Sequence, residues 1–250
     1  MTIFDFSTKV ISVVNQRSPS ICIALAALLS SACTSGDGTV EVRVYGESFV
    51  EDGIPAAAMD DGWEVQFDRF TVEVLDVTIA GVQAADLSPV DLTEPSDGAG
   101  HLLASVQAVA GTYSDATFTV GRIEVSGLAT KAGTSKSFTW QFEQPTRYLG
   151  CEADVSVLDG ASSTFELTIH ADHLFYDSLV ASEPQLLFQA LADADQNNDG
   201  TIAWEELEQT GIGAYDPGNT GVANLATWLQ AHVTTLGHVN GEGHCESTPG

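Results

Sequence analysis

Positive charge is scarce in this sequence. Its 250 residues include 8 lysines and arginines against 35 aspartates and glutamates, which gives a formal net charge of −27 at pH 7. A surface of that sign repels the phosphate backbone of nucleic acids and the head groups of anionic lipids. The composition therefore argues against nucleic acid as a partner and favours divalent cations or basic partners.

Signatures of common enzyme classes are also missing. The sequence contains no nucleophile elbow, no glycine-rich phosphate-binding loop and no zinc-protease helix. Residues 46–60 and 92–101 have the composition of long loops, which often carry binding sites at the ends of a rigid scaffold. We therefore expect a binding protein and not an enzyme, with a protein or a glycan as its partner.

Cysteine is rare, and two of the four cysteines stand in the N-terminal region. Residues 21–29, which include Cys22, form a short apolar run, and Ser30-Ser-Ala-Cys33 follows it. An apolar run of this length is typical of a secretory signal and is too short to anchor the chain across a bilayer. Two alternatives remain open. One is a secreted protein without a lipid anchor that is cleaved close to this run, and the other is a weakly apolar membrane helix.

Small residues that lead directly into a cysteine resemble the lipobox of bacterial lipoproteins. The resemblance implies that residues 1–32 are a signal peptide, that Cys33 is lipidated, and that residues 33–38 tether the protein to a membrane. The pattern departs from that family at Ser30, where leucine is usual. The implied location is the bacterial cell envelope, either in the periplasm or at the surface.

The remaining cysteines, Cys151 and Cys245, are expected to pair. Two cysteines in an exported, oxidising environment normally form a disulfide. Closing so long a loop stabilises the folded chain by roughly 4–5 kcal/mol on chain-entropy arguments. The bond would also hold a glycine- and histidine-containing tail, residues 237–250, against the preceding domain.

Apolar and polar residues alternate in short runs over residues 39–180. A period of two residues, interrupted by Gly, Asp, Ser and Pro, is typical of antiparallel strands with one buried face. Strands are predicted at residues 40–45, 63–67, 70–79, 118–120, 123–125, 138–142, 155–157 and 165–169. The predicted fold class is mainly β with α, in which an antiparallel β-sandwich precedes a small helical module at residues 181–236.

One pattern within the sandwich is similar to immunoglobulin-like domains of bacterial lipoproteins, among them copper-associated partner proteins of methanobactin systems. It consists of Val90-Asp-Leu92, Leu102-Leu103 and Ala110-Gly-Thr-Tyr113. The resemblance implies an immunoglobulin-like fold and a location in the bacterial cell envelope. An ordinary hairpin that carries a tyrosine at this position explains the pattern equally well.

Helical periodicity begins after residue 181. A capping box at residues 182–185 predicts a short helix over residues 186–191, and residues 222–236 form a second amphipathic segment that includes His232. Trp204 and Leu207 would supply the apolar side of a further helix.

Residues 195–206 match a complete twelve-residue calcium loop, with oxygen-bearing side chains at loop positions 1, 3, 5 and 12 and glycine at position 6. The segment from 182 to 210 resembles the EF-hand family. A water would replace the side chain of Ala203 at position 9, and an ordinary acidic turn is the alternative. The expected calcium ligands are Asp195, Asn197, Asp199, the backbone carbonyl of Thr201, and a bidentate Glu206.

EF-hands usually work in pairs, but a second loop starting at Asp216 would lack its acidic residue at Thr227. Either an incomplete second hand packs against the first one, or the single hand packs against the neighbouring domain. A single hand with three carboxylates indicates modest affinity and a structural role for calcium.

Five of the six histidines lie in the last third of the chain. A second metal site, for zinc or copper, is predicted from His170, His173, His238 and His244, since carboxylates stand near them in the sequence. The alternative is that these rings only bind loop backbone and hold the tail in place.

The first functional expectation is therefore a calcium-binding exported lipoprotein that acts as a calcium-stabilised binding or interaction protein. The second is a histidine-based copper or zinc binding protein in which calcium is structural. The two differ in whether the removal of calcium or of histidine abolishes binding.

Overall fold

A computed structural model describes residues 36–250. Cys33 and the predicted signal peptide therefore lie outside the described residues. The strands are β1 Asp37–Tyr45, β2 Glu64–Ile79, β3 Val82–Gln83, β4 Val90–Asp91, β5 His101–Val109, β6 Gly111–Tyr113, β7 Thr117–Lys131, β8 Thr134–Phe142, β9 Thr146–Leu149, β10 Val155–Val157, β11 Ser162–Ile169, β12 Thr201–Ile202, β13 Gly237–Val239 and β14 Glu246–Pro249.

Helices are few and short. They are α1 Glu47–Glu51, α2 Gln189–Ala192, α3 Trp204–Gln209 and α4 Leu225–Val233, and a 3₁₀ helix covers Ala171–Phe175. With nine residues, α4 is the longest of them, so no helix within residues 36–250 has the length and apolarity that a membrane crossing requires.

Two main sheets organise these strands. The first has the order β13-β11-β1-β5, and the second runs β12-β8-β7-β2-β3, with β4 added beside β2 and the pair β9–β14 added beside β7. A small third sheet pairs β10 with β6. The predicted mainly β class is confirmed, and several sheets with few helices fit a β-sandwich.

Alternation of side chains builds the core between the sheets. Val40, Val42 and Val44 of β1 are fully buried, and the residues between them are partly exposed. Phe138, Trp140 and Phe142 repeat the pattern on β8. Successive side chains on a strand point to opposite faces, so the period-two runs of the sequence become the buried faces of the sheets.

All the predicted strands form, but two pairs of them merge. Residues 118–120 and 123–125 both belong to β7. Residues 63–67 and 70–79 belong to one long strand, β2, because a register shift between Phe67 and Arg69 bends the strand instead of ending it. Sequence alternation did not predict β5, β9, β13 and β14, nor the short strands β3, β4, β6 and β12.

The helix predicted over residues 186–191 begins later than expected, and the one predicted over residues 222–236 is shorter. Only Gln189–Ala192 is helical in the first segment, because the side chains of a distant loop take up its backbone N–H groups. Asp61 Oδ2 accepts from the N–H groups of Phe188 and Gln189 at 2.7 Å. In the second segment, helix α4 begins at Leu225 because Asn224 caps it, with its side chain accepting from Thr227 N–H at 2.9 Å.

The segment after residue 181 contributes strands to both main sheets. β12 pairs with β8, β13 pairs with β11, and β14 pairs with β9. The predicted disulfide is confirmed, since Cys151 and Cys245 are bonded with their Cα atoms 4.0 Å apart. Backbone pairing and the disulfide thus fix the C-terminal residues against the sandwich.

Candidate functional site

Four histidines converge at the end of the first sheet. His170 follows β11, His173 lies in the 3₁₀ helix, His238 is on β13, and His244 precedes the disulfide. We call these four residues the histidine cluster. The ring centres of His170 and His238 lie 4.3 Å apart, those of His170 and His173 lie 5.3 Å apart, and those of His238 and His244 lie 4.9 Å apart.

Secondary structure explains this convergence. β11 and β13 are paired, with Thr168 opposite His238, so the end of β11 brings His170 beside the neighbouring strand. The pairing of β14 with β9 and the Cys151–Cys245 disulfide place His244 over the same end of the sheet. Residues that are distant in sequence therefore share one site through backbone pairing and one covalent bond.

His170 is almost completely buried, and its ring orientation can be read from its contacts. Its Nε2 lies 3.3 Å from the carbonyl oxygen of Gly241, which can only accept a hydrogen bond, so Nε2 carries the proton. Its Nδ1 faces two carboxylates, Glu47 Oε2 at 3.7 Å and Asp172 Oδ1 at 3.9 Å. Two carboxylates beside this nitrogen favour a cation next to it, either a proton or a metal ion.

His173 is oriented in a way that suits a metal ligand. Its Nδ1 lies 3.0 Å from Thr235 Oγ1, and that hydroxyl donates its own proton to the carbonyl oxygen of His232 at 2.9 Å. Nδ1 of His173 must therefore be the donor, which leaves Nε2 with a free lone pair. A ring nitrogen that is fixed by a hydrogen bond on its far side is typical of metal-binding histidines.

The remaining two rings of the histidine cluster belong to His238 and His244. Their Nδ1 atoms lie 3.3 Å apart. Two nitrogens bound to one tetrahedral ion at 2.0–2.1 Å would lie about 3.3–3.4 Å apart. A hydrogen bond between the two rings satisfies the same spacing, so the geometry suits either a proton or a metal ion between them.

Burial sets the charge of these side chains. It lowers the pKa of His173 to about 4 and that of His238 to about 3, and the neighbouring His170 adds to both effects. Both rings are therefore neutral at pH 7, which is the form that binds metal ions. Burial raises the pKa values of Asp172 and Glu47, while the charge of His170 acts against that effect.

Two groups of side chains within residues 36–250 bring at least three ligand atoms within 4.8 Å of one another. One group is His170, Asp172 and His173, and the other is His170, His238 and Glu242. A solvent-connected cavity of 340 Å³ reaches the second group, with His173, His238, Glu242 and His244 in its wall. Small solutes can therefore reach the cluster from one side.

Sequence reasoning missed Glu47. This residue starts α1 within a segment read as a loop, and its φ of 59° lies in the left-handed region that non-glycine residues seldom occupy. Strained backbone of this kind is concentrated at functional sites. Nothing in the local sequence signals that its carboxylate would face His170, because the contact joins two distant segments.

The segment that was predicted to be a calcium loop pairs with β8. Thr201 and Ile202 pair in parallel with Ser137 and Phe138. Gly200 has a φ of 86°, which fits a sharp turn at loop position 6.

The carboxylates of this loop are bound to its own backbone. Asp195 Oδ2 accepts from Gly200 N–H at 2.9 Å, and Glu206 Oε1 accepts from Gln196 N–H at 3.1 Å. Lys136 Nζ also donates to Asp195 Oδ2 at 2.5 Å, and this hydrogen bond lowers the pKa of Asp195. The loop carboxylates belong to neither group of converging ligands in the described part of the chain.

Searches with family models, among curated proteins and among solved structures found no match for this chain.

The buried His232 gives a pH-dependent prediction for the metal-free protein. Burial and the nearby His173 lower its pKa to about 3, against about 6.5 in an unfolded chain. As the pH falls below about 6.5, the unfolded chain binds a proton that the folded chain does not, so the free energy of unfolding decreases. We expect the urea midpoint of chelator-treated protein to fall more between pH 7 and pH 5 than that of His232→Asn.

The comparison with the variant is needed because other groups act in the opposite direction. The carboxyl groups of Glu47 and Asp172, whose pKa values are raised, keep their protons more readily in the folded state. They are present in both proteins and cancel in the difference. Equal midpoint shifts in the two proteins would contradict the assignment of this effect to His232.

Proposed function

We propose that the protein binds zinc or copper at the histidine cluster, with help from Glu47, Asp172 and Glu242. The observation that carries the proposal is the convergence of four imidazoles and three carboxylates from separate segments. Imidazole and carboxylate donors together suit zinc and copper better than calcium, which prefers oxygen ligands alone.

The orientation of the rings supports this proposal further. His173 and His170 each use one nitrogen to contact a backbone or hydroxyl oxygen, which directs the other nitrogen towards the centre of the cluster. The low pKa values of His173 and His238 keep their rings neutral at pH 7, so that no proton has to be displaced from them. Glu47 and Asp172 supply the negative charge that a divalent ion requires.

The test is equilibrium dialysis of the chelator-treated protein against zinc and against copper. Wild-type protein is expected to bind either ion saturably, and the double variant His170→Ala/His173→Ala is expected to lose more than about 100-fold in affinity. Even the loss of a group that only orients a metal ligand costs about 10–100-fold in affinity. The readout is the amount of metal retained per chain.

The matched control is His101→Ala, because that ring contacts the carbonyl oxygen of Glu94 and belongs to neither group of ligands. The control should bind metal as the wild type does. Unchanged affinity in the double variant would remove the proposed function. Circular dichroism of both variants shows whether they remain folded.

A second candidate function is calcium binding at residues 195–206. The observation in its favour is the pairing of Thr201 and Ile202 with β8, which supplies the support that a partner hand normally gives. The proposed ligands are Asp195, Asn197, Asp199, Thr201 through its carbonyl oxygen, and Glu206. Calcium in this position would fix the C-terminal third of the chain and thereby stabilise a binding surface for a protein or glycan partner.

Calcium titration by calorimetry, beside Glu206→Gln, tests this second candidate. Saturable binding with a dissociation constant of about 10⁻⁴–10⁻³ M is expected for wild type, since extracellular modules bind calcium in this range. The variant keeps the shape of the side chain but loses the bidentate carboxylate, so its heat should vanish. No heat in the wild type would leave this loop as a structural turn held by Lys136.

Export and lipid anchoring at Cys33 complete the proposal. The N-terminal sequence supports them through its apolar run and its resemblance to a lipobox. The mass of the N-terminal peptide of the mature protein tests both at once. A mature chain that begins at Cys33 with attached acyl groups is expected, and an unmodified Met1 would contradict the proposal.

A further inference from the structure

We infer that the histidine cluster and its carboxylates hold two metal ions that share the imidazole of His170 as a bridge. This inference rests on the proposed function, because it concerns the number of ions at the same site. The ions would be divalent and of the zinc or copper class, which take nitrogen and carboxylate oxygen donors together.

The first argument concerns distances. Ligand atoms that bind one ion at about 2.0–2.2 Å cannot lie more than about 4.4 Å apart. Within residues 36–250, Asp172 and His173 form one group with His170, and His238 and Glu242 form another group with His170. No group of ligand atoms within 4.8 Å joins all five of these described side chains. One ion cannot reach both sets in this arrangement, whereas two ions can.

The second argument concerns the two sides of the His170 ring. Nδ1 faces Glu47 Oε2 at 3.7 Å and Asp172 Oδ1 at 3.9 Å. Nε2 faces the carbonyl oxygen of Gly241 at 3.3 Å, and Gly241 directly precedes Glu242. The two nitrogens of an imidazole point away from each other, so each can bind a different ion.

The resulting ligand sets are balanced. On the Nδ1 side, the first ion would have His170, Asp172 and His173 as ligands, with the carboxylate of Glu47 nearby. On the Nε2 side, the second ion would have His170, His238 and Glu242. Each ion thus has three protein ligands and a fourth position for a water, as at catalytic zinc sites.

Charge favours two ions over one. Glu47 and Asp172 are partly buried and Glu242 is exposed, and together they carry three negative charges when ionised, so a single divalent ion leaves an excess negative charge. For His170 to bridge, its Nε2 proton passes to solvent and the ring becomes an imidazolate. Two divalent ions then balance the charges of three carboxylates and one imidazolate, so that no excess charge remains on the partly buried groups.

The stoichiometry of zinc tests this inference. Chelator-treated protein is dialysed against zinc chloride, and zinc per chain is measured by mass spectrometry. Two ions per chain are expected for wild type and for His101→Ala. One ion is expected for His238→Ala/Glu242→Gln, which removes ligands from the Nε2 side alone. Glu206→Gln is included so that zinc in the loop at residues 195–206 is not counted, and two ions should remain.

Copper gives an independent readout of the bridge in the wild-type protein. Two copper(II) ions joined by one imidazolate would lie about 6 Å apart, given metal–nitrogen bonds near 2 Å on either side of the ring. Their electron spins would couple, so the copper detected by electron paramagnetic resonance should fall below the total copper. This measurement needs no variant and does not depend on the folding of one.

The outcomes separate this inference from the proposed function. One ion per chain in wild type overturns the shared bridge and leaves metal binding intact. No bound ion overturns both. Two ions whose copper signal accounts for all copper, as isolated ions would, also overturn the bridge.

Discussion

Removal of the disulfide, by replacing Cys151 and Cys245 with serine, is expected to lower the free energy of unfolding by about 4–5 kcal/mol. The bond closes a loop with a sequence separation of 94 residues, and a cross-link of that span removes much conformational freedom from the unfolded chain. Urea unfolding at pH 7 measures the change. Wild type in the presence of a reducing agent should show the same loss.

The pairing of β14 with β9 determines how the loss of stability can be observed. β14 remains bonded to β9 over Glu246–Pro249 and Thr146–Leu149, so the folded variant should keep its far-ultraviolet circular dichroism. Stability and not secondary structure is therefore the informative quantity. An unfolding midpoint within error of the wild type would show that this cross-link constrains the unfolded chain far less than its span predicts.

A second large effect is expected for Phe138→Ala on β8, which should destabilise the protein by about 3–5 kcal/mol. The Phe138 ring is buried and stacks on Trp140 with ring centres 4.4 Å apart, and it also contacts Phe188 at 6.0 Å. Phe188 precedes α2, so the ring joins the second sheet to the C-terminal segment. Its removal leaves a cavity that rigid neighbouring strands cannot close.

Leu102→Ala is a suitable control, because that side chain is 53% exposed and its truncation should change stability by less than about 0.5 kcal/mol. The double variant Phe138→Ala/Phe188→Ala tests the junction itself. Residues in contact give non-additive effects, so the double variant should lose less stability than the two single variants together. Strict additivity would contradict the view that these rings stabilise one shared contact.

The sequence was most informative where one face of a strand is buried. On β1 and β8 the alternation of Val40 to Val44 and of Phe138 to Phe142 matches the burial of those side chains. β5 escaped prediction because Leu102 and Val109 are exposed apolar residues that blur the alternation. β14 escaped because its residues are all exposed, and its pairing depends on β9.

Predictions from local sequence patterns were wrong where hydrogen bonds from distant residues determine the position at which a helix begins. Ser182 begins a capping box in the sequence, yet Asp60 and Asp61 accept from backbone N–H groups of the segment that follows, so the helix starts later. The disulfide was predictable because only two cysteines follow the N-terminal region. Tertiary contacts of this kind are not encoded in short windows of sequence.

The two predicted metal sites also differ in how much of each can be inferred from the sequence alone. The four histidines could be grouped from the sequence because the expected disulfide brings the tail towards the end of β11. Glu47 could not, since its contact with His170 depends on a strained backbone within residues 46–60. The predicted calcium loop is a local motif, so its proposed ligands follow from the sequence alone, whereas the pairing of this segment with β8 does not.

The position of β1 has a consequence for the order in which the protein folds. This strand lies between β5 and β11, and it pairs in parallel with β11, with Thr39 opposite Ser162. Parallel partners so distant in sequence must close a long loop before they gain any stabilising contact, which makes such folds slow. During synthesis, β1 leaves the ribosome long before its partner exists, so the first sheet can be completed only after most of the chain has been made.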